Sequence, residues 1–316
     1  MMRLRYSFFA SLIVSITAAV CSCSKDDVVL PEDSGHFRPA TSSSSAHCNK
    51  VWEYTPAPGQ FINETALATA DQAAQFAMSR LKKSLYVSLG GFGGYIIVGF
   101  DHSILSSDGD YDFAVAGNSF YRAGTTTGGS NEPGIVYVMQ DTNGNSLPDD
   151  TWFELKGSEH HLASPTLRNY SVTYQRPDSP GMNVSWKDNQ GNEGCIDYLA
   201  QFHKQDYYYP AWITSSTYTL SGTCLAPKNV KDPTTGQWDN YPFEWGYADN
   251  MGADCIAIGD YPQCNRFRIS DAIDAAGNSV TLEYIDFVKI QTGVNTKSGV
   301  LGELSTEVLG VFDLHL

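Results

Sequence analysis

The segment from Asp141 to Asp150, Asp-Thr-Asn-Gly-Asn-Ser-Leu-Pro-Asp-Asp, carries the sharpest chemical pattern in the chain. Oxygen-bearing side chains fall at loop positions 1, 3, 5 and 9, and Leu147 at position 7 can offer its backbone carbonyl. A hard cation such as Ca²⁺ collects roughly six to eight such oxygens from a loop that curls round it. Asp141, Asn143, Asn145, Leu147, Asp149 and Asp150 are therefore the expected Ca²⁺ ligands. The alternative is a purely structural Asx-rich turn.

A second group of residues suits stacking. Tyr207-Tyr208-Tyr209-Pro210-Ala211-Trp212 is one aromatic cluster; Trp238, Tyr241, Trp245 and Tyr247 form another, and Tyr261 follows. They lie among Gly, Pro, Asn and Asp, which places many of them on loops. Exposed rings there would stack on a sugar or a flat macrocycle, so Tyr207, Tyr208, Trp212, Trp238, Trp245 and Tyr261 are the expected ligand-binding residues. Packing over the ends of a β-sandwich is the competing reading. Catalytic constellations are scarce. No Gly-x-Ser-x-Gly, His-Glu-x-x-His or dinucleotide fingerprint is present. His160-His161 has no acid or thiol at ligand spacing and reads as a loop pair. Gly90-Gly91-Phe92-Gly93-Gly94 is followed by a strand pattern rather than a helix, so a tight hairpin is expected in place of a phosphate cradle.

Mostly β elements must position these groups. Ala66 to Ser84 is the one long helical pattern, with Leu67, Ala70, Ala74, Ala77, Met78 and Leu81 on one side and Asn63 or Thr65 as its cap. Beyond it, ten or more short strands alternate with Gly, Pro, Asn and Asp, which argues for a mainly β, two-sheet β-sandwich with one N-terminal helix. No Pro/Ser-rich linker divides 51–316, which reads as a single domain.

The chain of 316 residues is 42% hydrophobic and 17% charged, with formal charge −15. Nucleic acid and anionic membrane surfaces are poor partners for such a field. Residues 1–22 hold two arginines and an apolar run from Tyr6 to Val20, fitting a secretory signal. Val20-Cys21-Ser22-Cys23 resembles a bacterial lipobox with Cys23 as the acylated residue, and Cys21 as the weaker alternative. Cys23-Ser24-Lys25-Asp26-Asp27 resembles the signal that exports Bacteroidetes lipoproteins to the outer face of the outer membrane. Residues 23–50 then read as a flexible tether, and the membrane is met only through the lipid anchor. Of the remaining cysteines, Cys48, Cys195, Cys224, Cys255 and Cys264, the nearest pair, Cys255 and Cys264, is the best choice for a disulfide.

Several longer segments carry a family resemblance: Leu89 to His102, Tyr111 to Asn118, Glu132 to Val136, Trp245 to Asn250 and Ile285 to Thr292. Together they resemble the Bacteroidetes "cell surface protein" lipoproteins, over roughly 51–313. Residues 141–150 resemble the loops of thrombospondin type 3 repeats, departing from them at Ser146 and Trp152. The family resemblance implies a β jelly roll of the galactose-binding type outside the cell, in company with corrinoid (vitamin B12) uptake systems and TonB-dependent receptors. It implies no ligand residues. The expected function is non-enzymatic capture of a nutrient, a corrinoid first, for an outer-membrane receptor. A carbohydrate-binding role in glycan utilisation is the alternative, and a glycan-active enzyme a third.

Overall fold

The computed structural model describes residues 35–107, 109–161 and 166–316. The expected signal peptide at 1–22, Cys23 and the Lys25-Asp26-Asp27 segment lie outside the described residues.

Antiparallel strands dominate, with one α-helix. A six-stranded sheet runs in the order Lys50–Thr55, Tyr95–Leu105, Tyr284–Thr292, Gly134–Met139, Phe153–Leu155, Ala272–Ile273. A four-stranded sheet is ordered Cys255–Ile258, Tyr261–Phe267, Phe113–Ala116, Gly310–Asp313. Ile96, Val98, Val136, Val138, Val288 and Ile290 from the first sheet join Phe113, Val115, Phe267 and Val311 from the second in one buried cluster. This is the layering of a β-sandwich, and burial of such β-branched side chains is its main stabilisation. A third sheet, ordered Glu193–Ile196, Val184–Asp188, Leu167–Gln175, Thr217–Cys224, has its own core around Phe92, Tyr170, Tyr174, Tyr208 and Tyr209. Gln291 on the central strand donates to Ser221 O of this third sheet at 3.0 Å.

The helix spans Ala70–Leu81, shorter than the sequence predicts. Thr69 is its cap, accepting from Gln72 N at 3.2 Å, while Gln72 Oε1 accepts from Ala68 N at 2.9 Å. This is close to the reciprocal arrangement of a capping box. Asn63 has a different task. It adopts φ +66° and its amide donates to Tyr207 O and Tyr209 O, so it pins the aromatic loop.

The Gly90–Gly94 turn is tight but joins two sheets rather than closing a hairpin. Val87–Ser88 before it pairs with Glu307–Val308, whereas Tyr95–Leu105 after it enters the six-stranded sheet. A Cβ at Gly94 would lie 1.8 Å from Leu89 O, and Gly90 has φ +70° with Ala57 O at 2.1 Å from its would-be Cβ. Only glycine fits there.

Two further expectations are corrected. The tether does not extend to residue 50. Phe37 packs edge-on against Tyr284, and Arg38 pairs with buried Asp286 at 3.0 Å. Ser103 N donates to Arg38 O, and Cys48 N to Val311 O. The segment 37–50 is thus held to the body by backbone bonds and side-chain contacts. Cys255 and Cys264 are free thiols. In their ribbon Cys255 faces Asn265 and Cys264 faces Ile256, a one-residue offset that sends the two side chains to opposite faces of the sheet.

Candidate functional site

The six aromatic residues that the sequence singles out do not share a surface. Tyr208 is buried in the core of the third sheet, its hydroxyl donating to His203 O and accepting from Leu199 N, both at 3.1 Å. Tyr207 is half-buried, with its carbonyl held by Asn63. Trp212 is half-buried against the main core, 5.9 Å from the Tyr54 ring. Tyr261 packs on Phe312 at 4.8 Å and its hydroxyl meets Ser84 Oγ at 2.8 Å. Trp245 lines a cavity of about 320 Å³ beside Tyr111, Lys156, Arg266 and Arg268. Of the six, Trp238 alone lines a wide cleft bordered by several other apolar side chains.

That cleft has a volume of about 480 Å³. Its rim is apolar. Phe120 comes from the ribbon of Phe120–Tyr121 and Gly129–Ser130, and Trp238 from the ribbon of Asn229–Lys231 and Trp238–Asn240. Val300 and Leu301 project from the short helical turn Gly299–Leu301. Phe202, Phe61 and Tyr86 complete the rim. Phe120, Phe202, Val300 and Leu301 are each more than half exposed. Four large apolar side chains left in water round one opening mark an interaction surface.

The floor is anionic. One carboxylate oxygen each from Glu132, Asp249 and Glu307 lie within 4.8 Å of one another. Backbone pairing brings them there. Glu132 N donates to Asp249 O at 3.1 Å, and Gly134 bridges Ala248. Glu307 lies on the strand that pairs with Val87–Ser88, and its N–H donates to Asp249 Oδ2 at 2.9 Å. Asp249 Oδ1 accepts from the amides of Asn118 and Ser119, both at 2.8 Å. This close approach needs Gly117, whose would-be Cβ lies 2.6 Å from that oxygen. Asp249 itself has φ +54°, a left-handed conformation that Asp tolerates and larger residues rarely adopt. Glu303 stands in the wall, one oxygen bound by Gln60 N at 2.7 Å. Glu303 Oε2 and Glu307 Oε2 are buried without a hydrogen-bond partner.

Burial dominates the electrostatics. It pushes the Glu132 carboxyl up to about 8, and those of Asp249 and Glu303 up to about 7. Glu307 is driven well above the ordinary range by burial and by the Glu132 and Asp249 carboxylates beside it. Of the basic groups in the cleft, Arg122 pairs with Asp239 on the cleft wall at 2.9 Å and His203 with Glu64 at 3.3 Å, so neither neutralises the trio. An apolar rim over a carboxylate floor can take an organic ligand with donor groups, or a cation.

Residues 141–150 form a closed loop. Buried Asp141 accepts from Gly144 N and Ser146 N, both at 2.8 Å. Asn143 Oδ1 accepts from Asn145 N and Asn145 Oδ1 from Leu147 N. The side chains of Asn143 and Asn145 both reach Asp149, at 2.9–3.1 Å. Asp150 accepts from Thr142, whose hydroxyl is the main cause holding its carboxyl below the usual range. Positions 3, 5 and 9 thus converge through bonds within the loop, with the Asn143 and Asn145 amide nitrogens turned to Asp149 and their oxygens to backbone N–H groups.

Glu132, Glu303 and Glu307 line the cleft and Asp249 is buried against Glu132 and Glu307; none of the four is among the residues that spacing alone picks out. Glu132 and Asp249 do fall inside the segments Glu132 to Val136 and Trp245 to Asn250 that carry the family resemblance. No model of a known protein family matches the chain, and no curated protein matches it.

Proposed function

We propose that this chain is a non-enzymatic binding protein of the Bacteroidetes surface-lipoprotein type. Its β-sandwich is read as a jelly roll of the galactose-binding kind, anchored through Cys23. It captures a small nutrient at the cleft of Trp238 and Phe120 and passes it to a TonB-dependent outer-membrane receptor. The observation that carries this reading is the ring of exposed apolar side chains round an opening floored by carboxylates. A corrinoid is the first ligand. Its broad apolar face suits the rim, and its peripheral carboxamides can donate to Glu132, Glu303 and Asp239 on the cleft wall. The 141–150 loop is read as a Ca²⁺ site beside this function, on the strength of its oxygen spacing.

The test is calorimetry of the purified protein against cyanocobalamin and a glycan panel. We expect heat with cyanocobalamin, and at least tenfold weaker binding in Trp238→Ala and Phe120→Ala with little change in melting temperature, the pattern of exposed anchors. Absence of heat with any corrinoid would sink the corrinoid reading, and heat with a glycan would transfer the cleft to the carbohydrate alternative.

A further inference from the structure

We propose that Glu132, Asp249 and Glu307 form a binding site for a hard divalent cation at the floor of the cleft. Their three oxygens, all within 4.8 Å of one another, can be spanned by one ion at about 2.3–2.6 Å from each, the range for Ca²⁺. The donors are all oxygen, with no imidazole or thiolate in the group, which selects Ca²⁺, Mg²⁺ or Mn²⁺ over zinc and copper.

Two independent observations point to a missing partner. Glu307 is 3% exposed, yet its Oε2 has no hydrogen-bond donor, and Glu303 Oε2 in the adjoining wall is likewise unpaired. Among the described residues, no Lys, Arg or His forms an ion pair with any of these four acids. Burying carboxylates together without a counter-charge is unfavourable, and a divalent cation offsets that cost. Asp249 is already immobilised by three backbone amides, so one ligand is positioned before an ion arrives. Glu132 and Glu307 both open onto the cleft, which gives the ion a path from solvent.

The experiment separates this site from the 141–150 loop. The Asp149→Ala variant, altered at an exposed position of that loop, is stripped with EDTA and then equilibrated with CaCl₂, MgCl₂ or MnCl₂ alone. Bound metal is counted after gel filtration, and melting temperature is recorded with and without metal. We expect one ion retained per chain and a metal-dependent rise in melting temperature. Adding Glu307→Gln or Glu132→Gln should weaken metal binding at least tenfold. Both should leave the metal-free melting temperature equal to or above that of the parent, because each removes a charge from a crowded acid group. Glu132 is half-buried, so its variant keeps the test open if Glu307→Gln folds poorly. Retention of no ion by the Asp149→Ala parent, or equal retention by both Gln variants, would overturn the site and leave the trio neutralised by protons. Metal binding is read without any organic ligand, so this result stands apart from the ligand assignment.

Discussion

Lys289 lies on the central strand of the six-stranded sheet, its ammonium 4.2 Å from the Tyr95 ring centroid and 5.3 Å from that of Tyr137. Burial lowers its pKa from 10.5 to about 8, against the pull of Glu53 in the other direction. The sign of the linkage follows. Below pH 8 both folded and unfolded chains carry the proton, and the folded state bears the cost of a desolvated charge. Between pH 8 and 10.5 the unfolded chain binds more protons, so this residue makes stability rise with pH across that window. We expect Lys289→Met to stabilise the protein on the order of 2 kcal/mol at pH 7, with the ring contacts offsetting part of the full effect. The gain should shrink towards pH 10.5. Melting curves of both proteins at pH 7, 9 and 10.5 check this, and a constant difference across the series would refute it.

At the scale of elements, the 141–150 loop decides whether oxygen spacing was a sound guide. A cation bound only by the folded state adds about 2.7 kcal/mol at a hundredfold excess over Kd. We expect Asp149→Ala to remove one Ca²⁺ per chain from the wild-type titration. An unchanged count would leave the loop as a turn held by its own amides. Regular patterning made the strands and the helix legible: Tyr95–Leu105, Gly134–Met139 and Tyr284–Thr292 are among the many short strands that the sequence predicts beyond the helix. Competing local bonds hid the rest. Asn63 looks like a cap but is spent on the carbonyls of Tyr207 and Tyr209, so the helix starts only at Thr69. Tyr208 looks like a loop ring but fills the core of the third sheet, where its hydroxyl is held by Leu199 N and His203 O, contacts that loop composition does not announce. The acid floor was not legible at all from spacing. Glu132, Asp249 and Glu307 are far apart in the chain and are brought together by the bridge of Gly134 to Ala248, the bond from Glu132 N to Asp249 O and that from Glu307 N to Asp249 Oδ2.

For the whole molecule, the packed N-terminal segment changes the geometry of attachment. With Cys23 as anchor and Phe37 already on the body, about 14 residues separate lipid from domain. Fully extended they reach at most about 50 Å, roughly half of what a tether running to residue 50 would allow. A formal charge of −15 repels an anionic surface, so lipid anchoring is the proposed membrane contact. On the proposed anchoring, so short a leash would keep the cleft within reach of a receptor in the same membrane. That arrangement is useful only outside the cell, and it rests on Lys25-Asp26-Asp27 acting as an export signal. Antibody should therefore label intact cells that express the wild-type protein. Changing all three residues to Ala should abolish the label while lipid incorporation and total protein stay constant, because the acylated cysteine and the folded body are untouched. Labelling that persists at the wild-type level in the triple variant would show that the tripeptide does not direct export. Capture for a surface receptor would then need a different route to the outer face.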